Sequence, residues 1–388
     1  MKIQLGVMFG GESVEHEISI LSAMQLIKAL DKDKYDVIPI YVAKNKEMYT
    51  DQSFMEIENY KDLTELLKDK KSYHFLRRKQ HFYLEQKNGL LIKKKSYRID
   101  LVFPMLHGTN GEDGSMQGYL KTIGIPFCQS DVCSCAIGQD KVMMKKLLSY
   151  AGLPLVPWFY TTVYDIKNSS VWLEKAKALG YPLIIKPANL GSSVGIQVVH
   201  DEDQLHKAIL ESFQYDDKVV IEKVITNLRE VNASVLGDME HYEVSCLEEV
   251  IKQDAILSYE DKYQGNGKAK GMASASREIP ASISEEQAQQ IQLLAQRVAY
   301  EMEVSGVVRI DFLIDVDNDC IFVNEINTIP GSLAFYLWQP KDVSFKDLLD
   351  RILLIALKRY RRKEKMVFTY ETNILKDYDQ RQGSKGKG

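Results

Sequence analysis

The sequence predicts an α/β protein whose C-terminal part is α+β. An N-terminal alternation of strand and helix patterns and a later series of strands interrupted by one long helix predict this class. The strand Ile3–Phe9 runs into Gly10-Gly11, and the strand Tyr35–Val42 follows about twenty-five residues later. Between them lies a helix pattern with the apolar stripe Ile20, Ala23, Met24, Ile27 and Leu30. Strand, glycine turn, helix and strand are typical of a parallel sheet.

Length, charge and cysteine content limit the class of protein. A chain of 388 residues predicts two or three domains, and its net charge of −4 argues against a general nucleic-acid binder. No apolar run approaches the roughly 20 residues of a membrane helix, and the N-terminal strand does not resemble a signal peptide. Five cysteines, an odd number, indicate a reducing compartment, so we expect a cytoplasmic protein. Cys133 and Cys135 lack a second ligand pair at zinc spacing, and we expect both to be buried.

The remaining elements divide the chain into three predicted domains and a tail. Domain 1–128 contains a charged, less periodic insertion at 44–98, after which the parallel pattern resumes at Ile99–Met105. Domain 129–218 contains two predicted helices and two predicted strands, at Gln139–Ala151, Trp172–Leu179, Leu183–Lys186 and Ile196–Val199. Domain 219–377 contains strands and two helices, at Val219–Lys223, Glu230–Leu236, Glu243–Val250, Glu285–Met302 and Asp347–Tyr360. Residues 378–388 form a predicted disordered tail.

A hairpin in the third domain predicts a metal site. Two apolar, β-rich runs flank the polar turn 315–319, and a turn centred near Asn318 places Asp311 opposite Glu325. Because side chains alternate along a strand, Asn327 shares a face with Glu325, and Arg309 shares one with Asp311. Two carboxylates and an amide suit Mg²⁺, which keeps open positions for substrate phosphates. The alternative is an acidic hairpin whose charges are solvated.

A glycine- and serine-rich loop predicts phosphate binding. The chain has neither a Walker-type nor a dinucleotide-binding fingerprint. Instead, a strand ends on Lys186, and a loop containing Ser192 and Ser193 returns to another strand. Glycines let backbone N–H groups approach phosphate oxygens, and the lysine supplies a positive charge. Lys141 and Lys262 suit the same task, although each alone is more often a surface lysine. The alternative for the loop is a mobile surface hairpin.

Seven motifs, in order, resemble those of the D-alanine–D-alanine ligases, members of the ATP-grasp superfamily. They span residues 10–331, and they are Gly10-Gly11-Glu12-Ser13-Val14-Glu15-His16-Glu17-Ile18-Ser19, His107 to Gly118, Asp140-Lys141, Lys186 to Gly195, Asp261-Lys262-Tyr263, Arg309-Ile310-Asp311 and Asn324 to Gly331. The resemblance implies an ATP-grasp fold of three domains, in which an N-terminal βαβ domain precedes two α+β domains that clamp ATP.

The resemblance also implies the chemistry. ATP phosphorylates the carboxylate of a first D-alanine, and the amine of a second then attacks the acyl phosphate to form D-alanyl-D-alanine for peptidoglycan precursors. Two Mg²⁺ ions, with Mn²⁺ as an alternative, would be held by Asp311, Glu325 and Asn327. The family further implies a homodimer.

The remaining site residues follow from the same motifs. ATP would be bound by Lys141, Lys186, Ser193, Glu222, Glu230 and Lys262, with Glu222 and Glu230 near adenine and ribose. Glu15 would bind the ammonium group of the first D-alanine. Arg309 and the Gly331 N–H would stabilise the oxyanion that forms when the amine attacks the acyl phosphate. Ser192 would position Tyr263 across a glycine-rich lid, Gln264–Gly271, and His107 lies where the family keeps a second-substrate histidine.

One departure concerns the second substrate. Where this chain has Tyr336, the family usually has a serine that binds the carboxylate of the second substrate. Ser332 and Tyr336 are therefore the candidate donors to that carboxylate. We therefore keep open a related ligase that joins D-alanine to a different amino or hydroxy acid. A non-catalytic nucleotide-binding regulator is a third hypothesis. It would require the loss of a metal ligand or of the oxyanion donor, and both are present.

Overall fold

The computed structural model describes residues 2–87, 94–191, 195–251 and 276–370. Within these ranges the strands form three sheets. The first contains β1 to β7, at Ile3–Gly10, Tyr35–Val42, Met48–Tyr49, Tyr73–Arg78, His81–Gln86, Ser96–Ile99 and Leu101–Pro104. Their order is β6-β5-β4-β3-β2-β1-β7. Strand β1 is parallel to β2 and β7, which confirms the predicted βαβ unit around helix α1, His16–Ala29.

The segment 44–98 joins this sheet. Its strands β3 to β6 extend the parallel core by antiparallel pairing, with short helical turns and helix α2, Leu63–Leu67, between them. The predicted strand Ile99–Met105 is wrong at its start. Ile99 ends β6, and β7 begins at Leu101, because Asp100 interrupts the run.

The middle sheet contains β8 to β11, at Trp158–Thr162, Leu183–Pro187, Gln197–Val199 and Lys218–Lys223, in the order β10-β9-β11-β8. Strand β11 pairs with β8 and β9, so the strand predicted at Val219–Lys223 belongs to this sheet and not to the third. Helices α3 to α7 lie at Ser115–Ile123, Val132–Gln139, Lys141–Tyr150, Ser169–Leu179 and Glu202–Ser212. The predicted helix Gln139–Ala151 begins at Lys141, because the Asp140 carboxylate caps it by accepting two backbone N–H groups.

The third sheet is antiparallel and carries the hairpin. It contains β12 to β16, at Leu228–Asp238, His241–Ile251, Ser276–Glu278, Gly306–Asp315 and Cys320–Asn327, in the order β14-β13-β12-β15-β16. Helices α8 and α9 are Glu285–Glu301 and Phe345–Lys363. One sheet face packs against α8 through Val231, Val308, Ile310 and Phe312. Because side chains alternate, the opposite face presents the polar residues Glu230, Asn232, Arg309 and Asp311.

Several predictions lie outside the described residues. They concern Ser192, Ser193, Lys262, Tyr263, the lid Gln264–Gly271 and the tail.

The five cysteines are free thiols: Cys135 is buried as predicted, whereas Cys133 is exposed on α4, so that part of the prediction is wrong. In the described part of the chain, no helix combines the length and apolar character needed to cross a membrane.

Candidate active site

The hairpin β15–β16 has the predicted pairing. Asp311 lies opposite Glu325, and Arg309 lies opposite Asn327. Nearer the turn the register differs by one residue, since Asp315 pairs with Cys320. A β-bulge between Asp311 and Phe312 absorbs the extra residue and brings Glu325 opposite Asp311. The two carboxylates and the amide therefore share one face.

Asp311 is hydrogen-bonded to two other side chains of this face. Its carboxylate accepts two hydrogen bonds from Arg309, from Nε and Nη2, each at 2.7 Å, and one from Asn327 Nδ2 at 3.4 Å. Burial raises the pKa of Asp311 to about 6 against the opposing effect of Arg309, and the carboxylates of Glu325 and Glu230 add to the rise. A bound cation would stabilise the ionised form of this buried carboxyl and offset the repulsion from the neighbouring carboxylates.

The donor set fits a hard divalent cation. Among the residues that the structure describes, no three His, Cys, Asp or Glu side chains converge as a metal site. The hairpin instead combines two carboxylates with the Asn327 amide, all oxygen donors. Mg²⁺ is bound in proteins by one or two carboxylates together with substrate phosphates, so a set of this size is sufficient.

A buried lysine–glutamate–lysine cluster lies beside the hairpin. Glu222 on β11 is 2% exposed, and its two oxygens form ion pairs with Lys186 (2.5 Å) and with Lys145. Lys186 also donates to Asn324 Oδ1 at 3.3 Å. Burial opposes the ionisation of Glu222, but the two lysines outweigh it and lower the pKa of Glu222 to about 2. A phosphate at Lys186 would therefore compete with Glu222 for this cation.

Sequence reasoning identified Lys186 and Glu222 but missed Lys145. The side chain of Lys145 is buried on α5, four residues after Lys141 and hence on the same face of that helix. That spacing was an available signal. Lys141 donates to the Leu190 carbonyl at 2.6 Å, and its Nζ lies 4.0 Å from Glu325. Lys141 therefore lies between the predicted phosphate loop and the metal hairpin.

A cavity of about 130 Å³ brings the predicted substrate residues together. It is lined by residues at the start of α1, in the 107–114 loop, on α4, α5, β15 and β16 and in the segment that follows β16. They include Glu15, His107, Lys141, Arg309, Glu325, Asn327 and Gly331. Gly108 has a φ of +69°, and a Cβ there would lie 2.8 Å from Glu15 Oε2. Another residue at this φ would be strained and would also displace the Glu15 carboxylate. The Glu15 carboxylate is thus packed against the backbone of the loop that carries His107.

Glu112 is a cavity residue that the sequence analysis did not select. Its two oxygens accept the backbone N–H groups of Gly108 (2.9 Å) and Ile329 (3.1 Å). Burial, and then the nearby Glu15 carboxylate, raise the pKa of Glu112 to about 8. Glu112 therefore joins the 107–114 loop to the segment preceding Gly331. Its place within the His107–Gly118 motif was the available signal.

His107 and Ser332 meet at a shared hydroxyl. Ser22 Oγ on α1 accepts the Ser332 N–H at 3.1 Å and lies 3.1 Å from His107 Nε2. Burial lowers the pKa of His107, against a smaller opposing effect of Glu15. Ser332, Leu333 and Ala334 all have positive φ, between 48° and 55°, which is a strained conformation for residues other than glycine. The Ser22 contact helps to hold this turn.

The Tyr336 hydroxyl is engaged by another side chain. It donates to Glu248 Oε2 on β13 at 3.1 Å. Phe335 stacks on Phe345, with ring centroids 4.4 Å apart, so the neighbouring aromatic ring packs towards α9. The predicted contact between Tyr336 and a substrate carboxylate therefore competes with an existing hydrogen bond.

Comparisons with known proteins show which family this sequence and fold resemble. Family models described as the D-ala D-ala ligase N-terminus and C-terminus match residues 4–130 and 147–354. A D-alanine–D-alanine ligase of Thermosipho melanesiensis is 40% identical, over 96% of this chain and 98% of that protein. Among solved structures, the D-alanine-D-alanine ligase from Coxiella burnetii aligns with a TM-score of 0.78 at 28% identity, covering 94% of this chain and 96% of the other. The VanG D-Ala:D-Ser ligase from Enterococcus faecalis aligns with a TM-score of 0.76 at 28% identity, covering 92% and 100%.

Proposed function

Since this chain belongs to the D-alanine–D-alanine ligase family, we propose that it joins two D-alanine molecules at the expense of ATP, for peptidoglycan precursor synthesis. The observation that carries the proposal is the single cavity shared by Glu15, Lys141, Arg309 and the hairpin residues Glu325 and Asn327. It combines an acidic group suited to an ammonium with cations suited to phosphate. Carboxylate activation followed by amine attack requires both.

In the first half-reaction, the carboxylate of the first D-alanine attacks the terminal phosphate of ATP, which forms an acyl phosphate and releases ADP. Lys141 and Lys186 neutralise phosphate oxygens, and Glu15 holds the ammonium of the first D-alanine. Two Mg²⁺ or Mn²⁺ ions held by Asp311, Glu325 and Asn327 would offset the charge of the transferring phosphoryl group. We assign Ser193 and Lys262 to the phosphates as well, and Glu222 and Glu230 to adenine and ribose.

In the second half-reaction, the amine of the second substrate attacks the acyl phosphate, and negative charge develops on the former carbonyl oxygen. Collapse of this intermediate forms the amide bond and releases inorganic phosphate and the proton of the amine. Arg309 lies in the cavity with two of its nitrogens bound to Asp311, so its guanidinium is fixed in orientation. It and the Gly331 N–H are the proposed oxyanion donors. His107 lies on the second-substrate side, and Ser192 with Tyr263 would exclude water from the acyl phosphate.

A second candidate function is the joining of D-alanine to a different amino or hydroxy acid. Two observations favour keeping it. Tyr336 replaces the serine expected for the second carboxylate, and one of the similar solved structures is a D-Ala:D-Ser ligase. Both functions share the first half-reaction and differ only in the acceptor.

One assay tests both functions. Phosphate release is measured with Mg-ATP, D-alanine and a panel of second substrates that includes D-alanine alone, D-serine and D-lactate. We expect release with D-alanine alone and the dipeptide as product. Release that occurs only with another acceptor would support the second function, and no release with any acceptor would contradict both.

The assembly and location are further proposals. We propose a homodimer in the cytoplasm, and three domains bounded near residues 128 and 218, with the tail at 378–388. The pairing of β11 with the middle sheet favours moving the second boundary beyond Lys223. Sedimentation of the purified protein tests the dimer directly.

A further inference from the structure

A second buried carboxylate lies on the polar face of the third sheet. Glu248 on β13 is 1% exposed, and it lies beside Asn232, which pairs with Asp311 on the next strand. It accepts hydrogen bonds from Tyr336 Oη at 3.1 Å and Asn232 Nδ2 at 3.2 Å. Its other oxygen forms an ion pair with Arg277 Nη1 at 3.2 Å. A buried carboxylate needs such partners, because an unpaired one is strongly destabilising.

The cluster of Glu248, Tyr336 and Arg277 adjoins the proposed oxyanion site. Tyr336 follows Gly331 by five residues, and both Tyr336 and Glu248 interact electrostatically with Arg309. The Arg277 guanidinium lies over the Tyr336 ring, 5.3 Å from its centroid. A cation stacked on an aromatic ring therefore lies next to Arg309, which lines the cavity.

Tyr336 cannot serve both Glu248 and a substrate carboxylate. A phenol has one proton to donate, and here Glu248 accepts it. The Ser332 backbone N–H is likewise used by Ser22. Of the donors in this segment, only the Ser332 hydroxyl then remains, and the negative charge of Glu248 would repel a nearby substrate carboxylate unless a cation stands between them.

Arg277 has the required chemistry. Its contact with Glu248 uses Nη1, and a guanidinium has five N–H donors arranged to bind a carboxylate through two parallel hydrogen bonds. Its side chain is 29% exposed, so a small molecule can reach it, whereas Glu248 is enclosed. The Tyr336 ring and Glu248 together fix the plane of the guanidinium.

We propose that Arg277 binds the carboxylate of the second substrate, with Glu248 and Tyr336 as its positioning residues. The inference rests on the proposed ligase function and assigns the donor that the replacement of serine by Tyr336 leaves open. It specifies the acceptor class as a 2-amino or 2-hydroxy acid with a free carboxylate. An acceptor amide would lose the ion pair with Arg277.

The test compares Arg277→Met with a matched control, Arg229→Met. Arg229 lies on β12 and forms an equivalent ion pair with Glu249, which points to the other face of the sheet from Glu248. We expect Arg277→Met to raise the KM for the second substrate about 100-fold, since removing one partner of a charged, hydrogen-bonded pair weakens binding by roughly two orders of magnitude. The KM for ATP should stay within about threefold, and the control should change neither constant.

A second measurement separates binding from folding. Wild type should strongly prefer D-alanine over D-alaninamide as acceptor, and Arg277→Met should lose most of that preference, which a purely structural role would not change. Arg277→Lys keeps the charge without the planar fork, so its second-substrate KM should lie between those of wild type and Arg277→Met.

Two results would overturn the proposal while leaving the ligase function intact. One is an active Arg277→Met enzyme with an unchanged second-substrate KM. The other is an unchanged preference for D-alanine over its amide, together with a raised KM in Ser332→Ala, which would assign the carboxylate to Ser332. Inactivity of wild type with every acceptor would instead contradict the proposed function itself.

Discussion

At the scale of single residues, the hairpin carboxylates give the most direct prediction. Glu325→Gln keeps the shape of the side chain but removes a charge next to Asp311. Because metal-bound phosphates gain several kcal/mol of charge stabilisation, we expect Mg-dependent turnover to fall at least 100-fold. The thermal unfolding temperature should be unchanged or higher, since one of two crowded carboxylates is neutralised.

The matched control for Glu325→Gln is Asp317→Asn, in the exposed turn of the same hairpin. It should retain wild-type turnover and the same dependence of turnover on Mg²⁺ concentration. Activity of Glu325→Gln within about tenfold of wild type would contradict the metal assignment.

Glu112 predicts a dependence of stability on pH. Folding raises the pKa of Glu112 from 4.5 to about 8, so the native state keeps a proton that the unfolded chain releases. The stability that this proton confers is present below about pH 4.5 and is lost as the pH rises towards 8. We expect the unfolding temperature of wild type to fall relative to that of Glu112→Gln between about pH 5 and pH 8. A difference between the two proteins that is constant over this range would show that Glu112 is ionised throughout.

At the scale of elements, sequence patterns identified most of the strands and helices around the site. The hairpin shows both the strength and the limit of this reasoning. Its pairing of Asp311 with Glu325 was predicted from the position of the turn, yet the structure reaches that pairing through a bulge that no sequence pattern indicated. Helix α7, Glu202–Ser212, was missed because its surface is rich in charged side chains and its apolar stripe is short.

The contacts of Tyr336 and Lys145 show why side-chain partners were harder to predict. The sequence indicated that the segment after Gly331 departs from the family pattern, but it could not indicate Glu248 and Arg277, which come from distant strands. Their meeting depends on the registers of β12, β13 and β14. Such long-range pairings are specified by packing and not by local spacing.

Helix α5 provides the prediction at this scale. Lys145 and Lys186 both form ion pairs with the Glu222 carboxylate. In Lys145→Met, Lys186 would be the only lysine left to balance the negative charge of Glu222. Lys186 would then be held away from the nucleotide phosphates. We expect the KM for ATP to rise about tenfold or more, with a smaller change in the KM for D-alanine, and Lys145→Arg should recover part of the loss.

Lys146→Met is the control for Lys145→Met, because Lys146 is the next residue on α5 but is exposed and contacts Tyr160. Its kinetic constants should match those of wild type. If Lys145→Met binds ATP as tightly as this control does, Lys145 only stabilises the fold.

At the scale of the whole molecule, helix α9 joins parts of the chain that are distant in sequence. Its apolar residues, among them Leu348 and Ile352, belong to the same core as β1 and α1. The helix predicted as the end of the C-terminal domain therefore also packs against α1 of the N-terminal domain. The relative placement of the hairpin and Glu15, on which the cavity depends, is stabilised in part by this helix.

Arg359 on α9 adds polar contacts to this packing, and it provides the final prediction. Its guanidinium donates to the backbone carbonyls of Phe127 and Gln129, each at 2.7 Å, and lies 4.9 Å from the centroid of the Phe127 ring. Arg359→Met would leave two largely enclosed carbonyls without donors, at a cost of about 1–3 kcal/mol each. We therefore expect the free energy of unfolding, measured by urea denaturation, to fall by about 2–5 kcal/mol. Arg361→Met, at an exposed position of the same helix, should stay within about 0.5 kcal/mol of wild type. Equal stabilities of the two variants would show that the Arg359 hydrogen bonds do not help to attach α9 to the N-terminal domain.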